Sequence, residues 1–211
     1  MIPRNDGTPD RRNGETTDRR NDGTLDRRAA VAALLRDPGD LLVVTGLGAP
    51  SYDVSAAGDR PLNFYLWGAM GGTAMVGLGI ALAQPQRRVL VLTGDGDMLM
   101  GMGSLATIAA AGAPNLAIAV LDNGRYGETG AQRSHTALAA DLEAVAAGCG
   151  WSITTTARSM AEVEALREPL RRQPMFAVLR IAPEEQARHL PPRDGAYLTD
   201  RFRHALGITR P

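Results

Sequence analysis

The sequence predicts an α/β fold in which a doubly wound, mostly parallel six-stranded sheet carries helices on both faces. Three observations support this prediction. Six short runs of β-branched and aliphatic residues recur along the chain, and helical stretches alternate with them. Several of these runs are apolar throughout rather than at every second residue, which is typical of strands buried on both faces. Alternation of this kind builds right-handed βαβ units.

The elements follow in a regular order. A first helix is expected after Asp26, which is suited to be its N-cap, and it should end before Pro38 and Gly39. The strands are expected at residues 41–45, 63–67, 88–93, 116–121, 151–156 and 176–181. The helices are expected at residues 70–83, 99–111, 137–147 and 161–172, with a last helical stretch near residues 197–206. Ligands of such sheets bind beyond the carboxyl ends of the strands, so the glycine-rich segments there are of interest.

The chain divides into three segments. Residues 1–25 are an octapeptide-repeat arm in which Asn5, Asn13 and Asn21 begin successive repeats. Because the arm has almost no apolar side chains to bury, we expect it to be disordered. A solvated tail is the simpler interpretation, and a docking arm for a partner is the alternative. Residues 26–182 should form the folded domain, and residues 183–211 a C-terminal extension with a short helix.

Composition and charge exclude several classes of protein. Lys and Arg number 23, and so do Asp and Glu, so the net charge indicates no nucleic acid and no membrane surface as partner. Cys149 is the only cysteine, which excludes an internal disulfide and disfavours an iron–sulfur centre. The most apolar stretch, residues 68–83, is shorter than a bilayer span, and the N-terminus lacks the apolar core of a secretory signal. We therefore expect a soluble cytoplasmic protein.

One motif carries most of the chemical information. Gly94, Asp95 and Gly96 follow a buried strand and precede a helix. The glycines let the backbone turn and approach an anion, and the helix start offers N–H groups to phosphate oxygens. Asp95 would repel a diphosphate unless a hard cation lay between them, and Mg²⁺ suits that position. Asn123 follows the next strand, 28 residues after Asp95.

This pairing of Gly-Asp-Gly with a later Asn resembles the signature of thiamine diphosphate enzymes, in their diphosphate-binding domain. The resemblance implies thiamine diphosphate and Mg²⁺ as cofactors, and it implies Asp95, Asn123 and the main-chain carbonyl of Arg125 as metal ligands. The family often has a second Asn where this chain has Asp122. Only the Asn at position 123 is implied as a ligand.

Other cofactor contacts also follow from the resemblance. Met70 would support the bent conformation of the cofactor. The carbonyl of Gly68 would accept a hydrogen bond from the amino group of the cofactor. A core-filling role on a helix is the alternative for Met70. The expected cofactor contacts are Gly46, Gly48, Ala49, Gly68, Met70, Gly94, Asp95, Gly96, Asp97, Met98, Asn123, Arg125, Tyr126 and Gly127.

The chain is short for a whole enzyme of this family. Complete members of the decarboxylase branch add a pyrimidine-binding domain with a catalytic Glu, and no second domain of that kind fits within 211 residues. Residues 122–132 are similar to the corresponding run of sulfopyruvate decarboxylase β subunits and of the C-terminal half of phosphonopyruvate decarboxylases. The resemblance implies a β subunit that shares its active site with a pyrimidine-domain α subunit in a hetero-oligomer. Its substrate would be a small anionic 2-oxo acid.

No catalytic residue of this chain is assigned, because the catalytic Glu is expected on the partner. The segment from Asn123 to Arg125, which carries two of the expected ligands, is called the metal loop. Glu128 and His135 follow it and are candidates, although His135 is more simply explained as a hydrogen-bonded loop histidine. Three alternative functions stay open: a subunit of an acetolactate synthase-like carboligase, a subunit of a 2-oxoacid oxidoreductase, and a non-catalytic scaffold. Intact Asp95 and Asn123 disfavour the scaffold.

Overall fold

The computed structural model describes residues 25–208 of the chain. The predicted octapeptide-repeat arm lies outside the described residues except for its last residue, Leu25. That side chain is buried, and its backbone pairs with Ile181 in an isolated parallel bridge. Leu25 is therefore part of the packed domain.

Eighteen elements make up the described part of the chain. The strands are β1 (Leu42–Thr45), β2 (Asn63–Tyr65), β3 (Val89–Gly94), β4 (Leu116–Asp122), β5 (Arg125–Tyr126), β6 (Gln132–Arg133), β7 (Thr154–Ala157) and β8 (Met175–Arg180). The α-helices are α1 (Arg27–Leu34), α2 (Ala49–Gly58), α3 (Thr73–Ala83), α4 (Asp95–Met100), α5 (Ser104–Ala111), α6 (Leu142–Gly148), α7 (Met160–Arg172) and α8 (Gly195–Ala205). Two 3₁₀ turns, Gly127–Thr129 and His135–Ala137, complete the set.

The main sheet confirms the predicted fold class. Six strands pair in the order β2-β1-β3-β4-β8-β7, and every pairing is parallel. β2 lies on one side of β1 and β3 on the other, so the strand order reverses at β1. Ligands of open α/β sheets bind at such a reversal, beyond the carboxyl ends of the strands. The topology thus directs attention to the segments that follow β1, β3 and β4.

Side chains alternate between the two faces of the sheet, as expected of extended strands. In β1, Val43 belongs to one core cluster, whereas Leu42 and Val44 belong to the other. Helices α1, α2 and α7 pack on the first face, and α3, α5 and α6 pack on the second. α8 covers the edge strand β2, where the rings of Phe202 and Phe64 lie 5.3 Å apart. The sheet is therefore buried on both faces, as the apolar runs predict.

Two predicted helices differ from the structure for identifiable reasons. The helix predicted at residues 99–111 is two helices, α4 and α5, separated at Gly101, Met102 and Gly103. Gly101 lies so close to Gly71 that an added Cβ would be 2.0 Å from the Gly71 carbonyl oxygen. The helix predicted at residues 137–147 begins only at Leu142, because the side chain of Asp141 caps it by accepting from the Ala144 amide.

The remaining differences lie at segment boundaries and loops. The helix predicted from Met70 begins at Thr73, and the strand predicted at residues 151–156 is β7, Thr154–Ala157. α2 and the hairpin of β5 and β6 were not predicted. Among the described residues, no helix is both long enough and apolar enough to cross a bilayer.

Candidate cofactor site

A cleft of about 270 Å³ lies at the carboxyl ends of β1, β3 and β4, where the topology places a ligand. Ten of the residues expected to contact a cofactor line it: Ala49, Met70, Gly94, Asp95, Gly96, Asp97, Asn123, Arg125, Tyr126 and Gly127. Four others, Gly46, Gly48, Gly68 and Met98, do not.

Two of the three expected metal ligands, Asp95 and Asn123, follow neighbouring strands. Gly94, the last residue of β3, pairs with Leu121 of β4, so Asp95 and Asn123 follow adjacent strands at the same edge of the sheet. Oδ1 of Asn123 accepts a hydrogen bond of 2.9 Å from the Arg125 amide, which fixes the turn into β5. Asp95, Asn123 and Arg125 all line the cleft, and their joint binding of a metal stays a prediction.

Asp95 is almost completely buried, with 2% of its surface exposed. Its Oδ2 accepts hydrogen bonds from Ser134 Oγ at 2.5 Å and from Thr136 Oγ1 at 3.2 Å. Burial raises the pKa of Asp95 to about 7, and the charge of Asp122 adds to the rise, while the two hydroxyls oppose it. A cation beside Asp95 would favour the ionised carboxylate and so offset the effect of burial.

Asp122 and Arg180 form a buried ion pair behind the metal loop. Nη1 of Arg180 donates to Oδ2 of Asp122 at 2.5 Å, and both side chains are buried. Oδ1 of Asp122 accepts from Thr136 Oγ1 at 2.7 Å and from the Gly124 amide at 2.9 Å. Sequence reasoning missed Ser134, Thr136 and Arg180. The charge of Asp122, where the family often has Asn, is a signal from which a charged partner could have been expected.

Asp97 holds a loop of the cleft wall in place through hydrogen bonds. Its Oδ1 accepts a hydrogen bond of 2.5 Å from the Gly71 amide, and its Oδ2 accepts from Thr93 Oγ1. These bonds attach the loop that carries Met70 to the end of β3. Met70 precedes α3 and is 37% exposed beside the cleft. The core-filling alternative for Met70 is therefore wrong.

The four expected contacts outside the cleft have different environments. Met98 is buried in the core cluster beneath α3 and α5. Gly46 lies behind the cleft, where an added Cβ would be 2.9 Å from Thr93 Oγ1. Gly48 is the N-cap of α2, with φ +86°, and an added Cβ there would be 2.5 Å from Oε1 of Glu128. Gly68 faces open space. Backbone contact of these residues with a cofactor stays a prediction.

The two catalytic candidates lie in different positions. Glu128 is exposed and lines the cleft. His135 does not line the cleft, and its Nδ1 is 2.7 Å from the hydroxyl of Tyr126. This geometry supports the simpler interpretation of His135 as a hydrogen-bonded loop histidine.

The residues fit a diphosphate held through a hard cation. The expected ligand atoms are all oxygens, which Mg²⁺ prefers. Glycine is also required beside Asp95, because a Cβ on Gly96 would lie 2.8 Å from the ring of Tyr126. Gly94 is open by comparison, since an added Cβ there would have its nearest neighbour, Pro50 Cγ, 4.0 Å away, so a ligand can approach its backbone closely.

A parallel α/β sheet with a cleft at the carboxyl ends of its strands is a fold that binds cofactors and other small ligands. Residues 48–181 match the family model described as the thiamine pyrophosphate enzyme, C-terminal TPP binding domain. The chain belongs to this family, and the resemblance noted in the sequence is confirmed.

The curated relatives include decarboxylases. Over 123 residues the chain is 41% identical to the sulfopyruvate decarboxylase subunit beta of Methanocaldococcus jannaschii, a match that covers 58% of this chain and 64% of the relative. Over 136 residues it is 45% identical to the phosphonopyruvate decarboxylase of Streptomyces viridochromogenes, covering 64% of this chain and 34% of the relative. The matched region thus spans between about one third and two thirds of these relatives.

A solved structure shows the same fold. The thiamine diphosphate-dependent 4-hydroxybenzoylformate decarboxylase of Rhodococcus jostii RHA1 superposes with a TM-score of 0.63 at 23% identity. The match covers 78% of this chain and 34% of that one.

Proposed function

We propose that this chain is the diphosphate-binding and Mg²⁺-binding subunit of a two-subunit thiamine diphosphate-dependent decarboxylase that acts on a small anionic 2-oxo acid. The observation that carries the proposal is the placement of Asp95 and Asn123 at the ends of paired strands beside the cleft. The names of the relatives, sulfopyruvate decarboxylase subunit beta and phosphonopyruvate decarboxylase, support the reaction class.

Each part of the cleft would have a defined task. Asp95, Asn123 and the carbonyl of Arg125 would hold Mg²⁺, and the backbone at Gly94 and Gly96 would approach the diphosphate. Met70 would support the cofactor from the opposite wall. Bound thiamine diphosphate supplies the chemistry that releases CO₂ from a 2-oxo acid, whereas the protein binds, orients and excludes water.

Two observations support a partner subunit. One relative is named sulfopyruvate decarboxylase subunit beta, a name that implies a second subunit in that protein. The second is an exposed apolar surface. Residues 61–86 and 98–121 contain no charged side chain, and α3 packs beside α5. Met75 and Leu82 of α3 and the nearby Met100 and Met102 are exposed. An exposed apolar surface of this kind is typical of a protein interface.

The proposal is tested by producing the chain together with the partner subunit and measuring CO₂ release from sulfopyruvate, phosphonopyruvate and a panel of other 2-oxo acids. We expect release from at least one substrate, dependent on both thiamine diphosphate and Mg²⁺. No cofactor-dependent release from any substrate would contradict the proposal. Formation of a carboligation product, or reduction of ferredoxin, in place of the free aldehyde would identify one of the two alternative enzyme classes.

A further inference from the structure

We propose that Ser134 and Thr136 are positioning residues. They would orient Asp95 toward the cation and fix the distance between Asp95 and the metal loop. This inference rests on the proposed function, because it concerns the metal site of that function. Neither residue would touch the cofactor, and both would act through the carboxylate of Asp95.

Ser134 connects the two segments that carry the metal ligands. Its amide donates to the carbonyl of Gly124 at 2.8 Å, next to Asn123, and its hydroxyl donates to Oδ2 of Asp95 at 2.5 Å. The side chain is completely buried. One residue therefore sets the separation between the end of β3 and the loop after β4.

The hairpin of β5 and β6 explains how Ser134 reaches this position. Arg125 pairs with Arg133 in antiparallel register, so the chain returns to its starting point directly before Ser134. The metal loop and its attachment to Asp95 are thus two ends of one short hairpin. A change in the hairpin would move Asn123 and Asp95 relative to each other.

Thr136 links Asp95 to the buried ion pair. Its hydroxyl lies 2.7 Å from Oδ1 of Asp122 and 3.2 Å from Oδ2 of Asp95, and it has one hydrogen to donate. That hydrogen lies between the two carboxylates, so Thr136 couples Asp95 to Asp122, whose charge Arg180 balances. Ser134 is the nearer of the two donors to Asp95 Oδ2. Oδ1 of Asp95 is left as the oxygen that would coordinate the cation.

Variants that remove or retain a hydroxyl test this arrangement. Ser134→Ala and Thr136→Val remove one hydroxyl each, whereas Thr136→Ser retains it. Thr156→Val is a matched control, because the Thr156 hydroxyl donates to Glu143, a carboxylate that does not line the cleft, at 2.5 Å. The affinity for Mg²⁺ is measured by calorimetry at saturating thiamine diphosphate, on the chain with its partner subunit. Thermal unfolding of each variant without metal is recorded alongside.

We expect Ser134→Ala and Thr136→Val to raise the Kd for Mg²⁺ by about 10-fold to 100-fold, the usual cost of losing a partner of a metal ligand. Thr136→Ser and Thr156→Val should stay close to the wild type. Unchanged Mg²⁺ affinity in both hydroxyl-deleted variants would overturn the inference while the proposed function stands. An equal loss of affinity in Thr156→Val would also overturn it, since the effect would then be structural. Absence of Mg²⁺-dependent binding by the wild type would overturn the proposed function and the inference with it.

Discussion

The backbone amide of Gly71 donates a hydrogen bond of 2.5 Å to Oδ1 of Asp97, across 26 residues of the chain. Oδ2 of the same carboxylate accepts from Thr93 Oγ1 at the end of β3. Asp97 thus attaches the loop that carries Met70 to the end of β3, directly before Asp95. Its importance for cofactor binding would come from this attachment.

Asp97→Ala should destabilise the fold and weaken cofactor binding together. The substitution removes the acceptor of the buried Thr93 hydroxyl and of the half-buried Gly71 amide, at a cost of up to about 1–3 kcal/mol for each unsatisfied group. Urea unfolding measures the free energy, and calorimetry with thiamine diphosphate and Mg²⁺ measures the affinity. Asp97→Asn is the control, because its amide oxygen can still accept from Gly71. Wild-type stability and affinity in Asp97→Ala would show that the attachment is unimportant.

The close approach of Gly101 to the same loop gives a second prediction. A Cβ at position 101 would lie 2.0 Å from the Gly71 carbonyl oxygen, whereas a Cβ at Gly103 would meet nothing within 4 Å. Gly101→Ala must therefore displace backbone, and we expect a loss of about 1–3 kcal/mol in the free energy of unfolding. Gly103→Ala should change it by less than about 0.5 kcal/mol. Similar unfolding curves for the two variants would contradict this account of the loop.

Two glycines of α3 offer a matched pair within one helix. A Cβ at Gly77 would lie 2.2 Å from Cγ2 of Val91, and a Cβ at Gly79 would meet open space. Gly79→Ala should stabilise the helix by about 0.5–1 kcal/mol, because alanine loses less backbone entropy. Gly77→Ala should destabilise the protein, since helix and sheet must separate. Chemical denaturation of both variants checks the prediction, and stabilisation by Gly77→Ala would refute the close packing of α3 on β3.

The sequence was sufficient for the sheet and for the position of Asp95 and Asn123 after two of its strands, because both depend on local patterns. Buried strands are continuous apolar runs, and Asp95 and Asn123 each follow one directly. α2 was missed because its glycine, proline and serine residues are typical of loops, although Pro50 lies in the first turn, where proline favours a helix. Residues 137–140 were expected to be helical because of their alanines, but the cap at Asp141 sets a later start.

The supporting contacts of the site could not be predicted in the same way. Ser134 and Asp95 are 39 residues apart, and Arg180 and Asp122 are 58 apart. Hydroxyls on loops have no periodicity, and their partners are determined by how the hairpin of β5 and β6 folds back. The charge of Asp122 could have suggested a charged partner, but not which residue supplies it.

Binding of Mg²⁺ and thiamine diphosphate to the Asp95→Ala variant, measured by calorimetry on the chain with its partner subunit, tests the central claim most directly. We expect the wild type to bind and Asp95→Ala to show no detectable binding while it retains the wild-type circular dichroism spectrum. Asn123→Ala should bind more weakly than the wild type but better than Asp95→Ala, because a neutral ligand contributes less to holding Mg²⁺. Wild-type affinity in a folded Asp95→Ala variant would contradict the assignment of this cleft as the metal and diphosphate site.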